Sequence, residues 1–197
     1  MQRRRLFLLL AACGMSAGAR AATAAAVSAS ISGAALWERL RGGGHVLLIR
    51  HAATDPGIGD PPGFALGACA TQRNLSPAGR RDAEAFGAAV RAHGIPIGAV
   101  WSSRWCRCLD TARLAFGRVD AAPMLDSMFQ DDDAAVQAKL GELRRRLAGP
   151  VQPGNTVLVT HDVNIRALVR EAVAPGETLV ARAVQGRLEV LGRLRYR

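Results

Sequence analysis

At 197 residues the chain has room for one domain with a sizeable core, and 49% hydrophobic residues exclude a disordered polymer. The formal charge is +10 with 26 Lys+Arg, part of it in Arg3, Arg4, Arg5 and Arg20, and Lys139 is the single lysine. Its plain reading is a solvated basic surface and its sharper one a face that draws in small anions; aromatics at 5% and dispersed charge argue against a nucleic-acid binder.

Residues 1–21 have the pattern of an export signal: the basic stretch MQRRR, the apolar run LFLLLAACGMSAG, and Ala19-Arg20-Ala21 as a small-x-small cleavage site before Ala22. Leu10-Ala11-Ala12-Cys13 also resembles a lipobox that would anchor Cys13 by lipid, and Arg4-Arg5-Leu6-Phe7-Leu8 fits a twin-arginine signal. All three routes imply an exported, periplasmic protein, with membrane anchoring through Cys13 as the alternative. The apolar run is too short to span a bilayer, and no later segment is long enough. Residues 22–33 read as a small-residue linker, and 34–197 as the functional domain.

A short helix is expected over Leu36–Arg41, stopped by Gly42-Gly43-Gly44. Val46–Ile49 is a continuous apolar run, as suits a strand covered on both faces. A loop rich in Gly and Pro follows, from Asp55 to Asn74. Ser76 then caps a helix with Pro77 at its first position, an apolar stripe of Ala83, Phe86 and Val90, and Gly94 at its end. Ile97–Trp101 is a second strand, leading to a helix over about Arg104–Phe116. A further helix is expected over Asp131–Leu147, with Asp131-Asp132-Asp133 at the positive end of its dipole. Thr156–Thr160 is a buried strand, followed by a helix to about Val173. Thr178–Val184 and Leu188–Tyr196 form an antiparallel hairpin around Gln185-Gly186. Strands alternating with helices specify an α/β layered domain.

Three cysteines remain beyond the signal. Cys69 with either Cys106 or Cys108 is a candidate disulfide in an oxidising compartment, and Cys-x-Cys plus one distant Cys makes a poor metal set.

The segments VLLIRHAATD and TVLVTHDVNI share one construction, an apolar strand whose exit delivers a histidine, His51 or His161. Ligands of open α/β sheets bind outside the carboxyl ends of the strands, so parallel neighbours would bring both histidines to one crevice. Arg50 beside His51 cannot ligate a metal, but it suits a tetrahedral anion through forked, charge-assisted hydrogen bonds. Neutral imidazole beside such an anion can attack phosphorus.

These residues resemble the histidine phosphatase superfamily, the phosphoglycerate-mutase-like fold. Four blocks carry the resemblance: Arg50-His51-Ala52 with Thr54 for Arg-His-Gly-x-Thr, Leu75-Ser76-Pro77-Ala78-Gly79, Ser102-Ser103 through Arg107 to Thr111-Ala112, and Thr160-His161. Spacing to Thr111-Ala112 selects Arg107 as the matching arginine and puts Arg104 in the usual proline position, as a rim residue or substrate contact. Ala52 stands where the family has glycine. The resemblance implies a three-layer α/β/α sandwich, a mostly parallel sheet with a C-terminal antiparallel hairpin. It implies phosphomonoester hydrolysis through a phosphohistidine on His51, with no metal or other cofactor. Arg50, Arg107 and His161 would bind the phosphoryl oxygens, and Thr54, Arg73 and Arg104 are candidate substrate contacts.

The glutamate many relatives carry downstream is absent from Met124–Phe129. His161-Asp162 reproduces the pair of the acid-phosphatase branch, so Asp162 is the first candidate proton donor, Asp126 the second and Asp55 the third. The pattern is similar to small exported bacterial members, including lipopolysaccharide core heptose phosphate phosphatases, so the expected partner is a small phosphorylated substrate, such as an envelope sugar. The alternatives are a phosphohistidine protein phosphatase and, from another class, a non-catalytic phosphate-binding module. The oligomeric state is left open.

Overall fold

Four strands of the chain carry apolar side chains on both faces, and such strands are stable only between two layers of helices. The computed structural model describes residues 33–57, 59–149 and 153–194, and builds that arrangement. The expected signal over 1–21, Cys13, and the linker apart from Gly33 lie outside the described residues.

The six-stranded sheet has the order β3-β2-β4-β1-β5-β6. Strands β1 (Val46–Arg50), β2 (Ile97–Ser102), β3 (Asp120–Ala121) and β4 (Asn155–Thr160) run parallel, while β5 (Thr178–Val184) is antiparallel to β1 and pairs with β6 (Arg187–Leu194) as a hairpin. Alternation along β1 divides the core. Leu47 and Ile49 face α1 (Gly33–Arg41), α2 (Pro77–Ala92) and α3 (Cys106–Phe116), packing with Leu36, Leu40, Phe86 and Ala112. Val46 and Leu48 face the other way, toward Leu143 of α4 (Asp133–Leu147) and Ile165 of α5 (Asp162–Val169). The result is the three-layer α/β/α sandwich expected from the sequence.

Local chemistry accounts for the helix ends. The Ser76 side chain accepts a hydrogen bond from Gly79 N, with Pro77 opening α2. Asp132 caps α4 by accepting from Ala135 N, whereas Asp131 pairs with Lys139 at 2.5 Å, so the acidic triplet is divided between two tasks. The tight turn of the hairpin has positive φ at both Gln185 (49°) and Gly186 (74°), the conformation that matches strand twist.

Several boundaries differ from expectation. Helix α1 begins at Gly33, three residues before the expected Leu36. Helix α3 begins at Cys106, after Trp105 as an extended N-cap, and the preceding Arg104 backbone N–H donates to the Asp126 carboxylate at 2.8 Å. Helix α4 begins two residues late, after its cap. Helix α5 ends at Val169, not Val173: Arg170 turns left-handed (φ 60°), and the chain doubles back so that Val173 N donates to the Asp162 side chain. Strand β6 ends at Leu194, and Arg195–Arg197 lie outside the described residues. The two-residue β3 and the 3-10 turns Cys69–Thr71 and Pro123–Leu125 carry too little pattern to be read beforehand.

The glycine of the Leu-Ser-x-x-Gly block has a steric reason. A Cβ at Gly79 would stand 1.9 Å from the Ala53 carbonyl oxygen, so glycine lets α2 pack directly against the turn that follows His51. Gly79→Ala is therefore expected to cost about 1–3 kcal/mol of stability as that contact is forced apart. Gly67→Ala, where nothing lies within 4 Å, should stay within about 0.5 kcal/mol of wild type. Denaturant unfolding of both variants checks the contrast, and equal stability of the two would reject it.

Candidate active site

The parallel register of β1 with β4 pairs Arg50 with Thr160, so the next residue of each strand leaves the sheet side by side. Those residues are His51 and His161. The His51 backbone N–H donates to the Thr160 carbonyl at 2.9 Å, and the two rings lie edge to face with centroids 5.5 Å apart. Both are buried.

His51 Nδ1 lies 2.9 Å from the Ala52 carbonyl oxygen. A carbonyl only accepts, so Nδ1 carries the proton and Nε2 keeps its lone pair. The turn that supplies this carbonyl is fixed by Ala52 N donating to Thr111 Oγ1 at 3.0 Å, whose hydroxyl donates to the Arg107 carbonyl at 2.7 Å. Burial is the chief reason that the His51 pKa falls to about 3; Arg107, Arg50 and Arg73 push the same way against the Ala52 bond. His161 is also lowered, first by burial and then by His51 and Arg107. Its Nε2 is 2.9 Å from Ser103 Oγ and 3.5 Å from the Cys108 thiol, which burial pushes up to about 12 and so keeps neutral.

Three arginines surround this pair. Arg50 donates through Nη1 to the Val173 carbonyl at 2.8 Å. Arg73 donates through Nη1 to Thr54 Oγ1 at 2.7 Å and the Gly57 carbonyl at 3.0 Å. Arg107 meets both oxygens of Asp60, at 2.7 and 3.2 Å. In all three the Nε is buried and without a hydrogen-bond partner. Each guanidinium is thus held to the scaffold by its outer nitrogens while an inner donor remains unused. Buried unpaired donors are costly, and here three of them sit on cations near a neutral imidazole, a chemistry suited to a tetrahedral anion.

The remaining expected residues divide. Thr54 stands behind Arg73 as its support. Arg104 lines the rim of the cavity, half-exposed, its guanidinium bound to the buried Asp126 at 2.7 Å through Nε. Asp162 lines the cavity and accepts from Arg166 Nε (2.7 Å) and Val173 N (3.2 Å), with Arg50 at 4.0 Å. Burial would raise its pKa, but these donors hold the carboxyl below its ordinary value. Asp55 is exposed and not among the cavity-lining residues.

The cavity measures about 860 Å³, far more than a phosphate group fills. Beyond His51, His161, Arg73, Arg104 and Arg107 its wall includes Phe64, Trp105, Met124, Phe129 and Lys139, whereas Arg50 is not among the lining residues; Phe129 is 73% exposed. Among the described residues no group of three or more His, Cys, Asp or Glu side chains is placed to hold a metal ion, and no helix is long and apolar enough to cross a membrane.

The cysteine pairing is Cys69–Cys106, leaving Cys108 as the free, buried thiol. The bridge ties the loop after His51 to the first residue of α3, one position before Arg107. Asp60, on the same loop, was missed by sequence reasoning. It is an isolated acid before two prolines, and no spacing relates it to Arg107, 47 residues later.

Residues 46–133 match the family model of the histidine phosphatase superfamily (branch 1). That stretch is less than half of the chain. The matched stretch holds His51 and all three arginines of the site, while His161 and Asp162 lie beyond it. Similar solved structures include YhfR of Bacillus stearothermophilus (15% identity, TM-score 0.58, 77% of this chain and 98% of that one). A phosphoglycerate mutase from Thermus thermophilus matches at 22% identity and TM-score 0.52, over 77% and 98%. The protein histidine phosphatase SixA complexed with tungstate matches at 13% and 0.52, over 77% and 97%. At these identities the likeness is one of fold. No curated protein matches.

The two buried neutral histidines set a pH dependence of stability. Their folded pKa values lie below the unfolded value near 6.5, so unfolding takes up protons as pH falls below that point. Stability should therefore drop on acidification from about pH 6.5 to about 4.5, by up to about 1.4 kcal/mol per pH unit per histidine. Thermal unfolding across this window reads the slope, and His161→Gln should flatten it. A wild-type midpoint that rises toward the acid end of the window would contradict the burial argument.

Proposed function

We propose that the protein hydrolyses phosphomonoesters through a phosphohistidine on His51. The observation that carries this reading is the Nδ1 contact of His51 with the Ala52 carbonyl, which leaves a neutral Nε2 lone pair among three arginines with unused buried donors. Nε2 attacks phosphorus in line; the N–P bond forms as the ester P–O bond breaks, and the leaving oxygen takes the electron pair and a proton. The positive charge that develops on the imidazole is shared through Nδ1–H with the Ala52 carbonyl. Water then attacks phosphorus, the N–P bond returns its pair to Nε2, and inorganic phosphate leaves. Arg50, Arg73, Arg107 and His161 hold the phosphoryl oxygens while charge redistributes between attacking and leaving atoms.

Asp162 is the first candidate for the proton of the leaving oxygen and Asp126 the second. Asp162 is held low by Arg166 and Val173 N, and a carboxyl held low donates its proton reluctantly. This favours a second reading, a phosphohistidine protein phosphatase, because imidazole leaves more easily than a sugar alcohol. A phosphorylated envelope sugar remains the substrate suggested by the sequence pattern and by the expected export. The Cys69–Cys106 bridge supports an oxidising compartment such as the periplasm.

An aryl phosphate assay of the mature protein, with and without chelator and beside His51→Ala, tests the main reading. Chelator-resistant turnover should fall by at least about a thousandfold in the variant, and acid-labile phosphate should appear on His51 after a rapid quench. Full activity in His51→Ala would refute the mechanism; phosphate binding without turnover of any ester would favour a binding module. Asp162→Asn is expected to slow alkyl esters more than activated aryl esters, and equal loss on both would remove Asp162 as the acid.

A further inference from the structure

We propose that Asp60 is a positioning residue that decides which edge of Arg107 meets the phosphoryl group; this rests on the proposed phosphatase reading. A guanidinium has five N–H donors arranged as two forks, one across Nη1 and Nη2 at the end and one across Nε and Nη2 at the side. Asp60 occupies the end fork, with Nη1 on Oδ1 at 2.7 Å and Nη2 on Oδ2 at 3.2 Å, and the second Nη1 hydrogen is directed to the Arg73 carbonyl at 3.4 Å. What remains is the side fork, and its Nε is the donor left buried without a partner. Arg107 thus offers a fixed side-on pair of hydrogens.

The Asp60 carboxylate is itself held from two further directions. It accepts from Arg73 N at 3.0 Å and from Trp105 Nε1 at 2.9 Å, so four donors converge on two oxygens. The side chains of Arg107 and Asp60 are only 6% and 8% exposed, where competition from water is weak. Burial would raise the Asp60 pKa, but Arg107, Arg73 N and Trp105 overcome it and keep the carboxylate ionised. One acid therefore links the loop after His51, the first turn of α3 and the backbone of Arg73, and its negative charge offsets one of the three arginines.

This arrangement predicts a separation of binding from turnover. Asp60→Asn keeps the size of the side chain but replaces one acceptor with an NH2 group facing donors. Arg107 then loses its fixed orientation while the pocket becomes more positive. A resting phosphate can recruit a loosened Arg107, whereas the transition state needs the guanidinium already in place.

The test measures steady-state kinetics on an aryl phosphate and calorimetric binding of inorganic phosphate, for wild type, Asp60→Asn and Asp60→Glu. For Asp60→Asn, kcat should fall about tenfold or more while phosphate binds at least as tightly as in wild type. Asp60→Glu, which keeps the charge, should recover part of the kcat. If Asp60→Asn does not fold, Asp60→Glu carries the test, with a severalfold loss of kcat at unchanged phosphate affinity expected. If wild type turns over no ester yet Asp60→Asn binds phosphate more tightly, the catalytic reading fails while the Asp60–Arg107 assignment stands. Unchanged kcat in the variants, or phosphate affinity lost in step with kcat, would overturn the proposal.

Discussion

The parallel pairing of β1 with β4 is the constraint on which everything else rests. Because Arg50 and Thr160 are register partners, the chain must leave both strands at the same height, and the residues that leave are His51 and His161. Slippage by one residue would reverse every side chain between the two faces of the sandwich, putting Leu47 and Ile49 where Val46 and Leu48 belong. The hydrophobic pattern that makes the core thus also fixes the distance between the two imidazoles. The hydrogen bond from His51 N to the Thr160 carbonyl is the last rung of that ladder and the first contact of the site.

Once the imidazoles are placed, electrostatics governs the pocket. Arg50, Arg73 and Arg107 all act on His51, a concentration of like charge that would repel itself without support. The scaffold answers with oxygens aimed at the outer nitrogens: the Val173 carbonyl for Arg50, Thr54 and Gly57 for Arg73, Asp60 for Arg107. These partners come from the return after α5, the loop after β1 and the 55–74 loop. In the proposed phosphoryl transfer, dipoles fixed beforehand would remove the reorganisation that water otherwise requires. It also explains why α5 stops at Val169. Its continuation to Val173 would have kept the Val173 carbonyl from Arg50 and its N–H from Asp162.

The parts of this architecture that were legible in the sequence are those written in short-range pattern. The apolar runs Val46–Ile49 and Thr156–Thr160, the Ser76-Pro77 helix start and the Gln185-Gly186 turn each carry a local physical signal, enough for a layered α/β domain, while the three-layer sandwich came from the family resemblance. Arg107 was legible only through its spacing from Thr111, and the structure supplies the reason: Thr111 bonds both the Arg107 carbonyl and Ala52 N. Asp60 was not legible, since its partners Arg73, Trp105 and Arg107 are 13 to 47 positions away and meet it only when the loop folds over α3. The choice between Cys106 and Cys108 was equally hidden. Two residues apart on a helix they point to different sides, one to the loop and the other to His161.

That last difference bears on how the loop is held. The 55–74 segment has little regular structure of its own, and its contributions to the pocket, Asp60 and Arg73, depend on where its end is anchored. The Cys69–Cys106 bridge fixes that end covalently at the start of α3, and Gln72 reinforces it by accepting from Cys106 N at 2.9 Å and donating to the Ala65 and Leu66 carbonyls. Closing this 37-residue separation removes chain entropy that a polar loop could not offset through apolar burial. The neighbouring Cys108 takes no part, because it is fully buried against His161 with its thiol kept protonated. The loop can therefore be polar, rich in glycine and proline, and still present an arginine and its aspartate partner in fixed positions. The Cys69–Cys106 bridge thus contributes to the geometry of the pocket as well as to the stability of the fold.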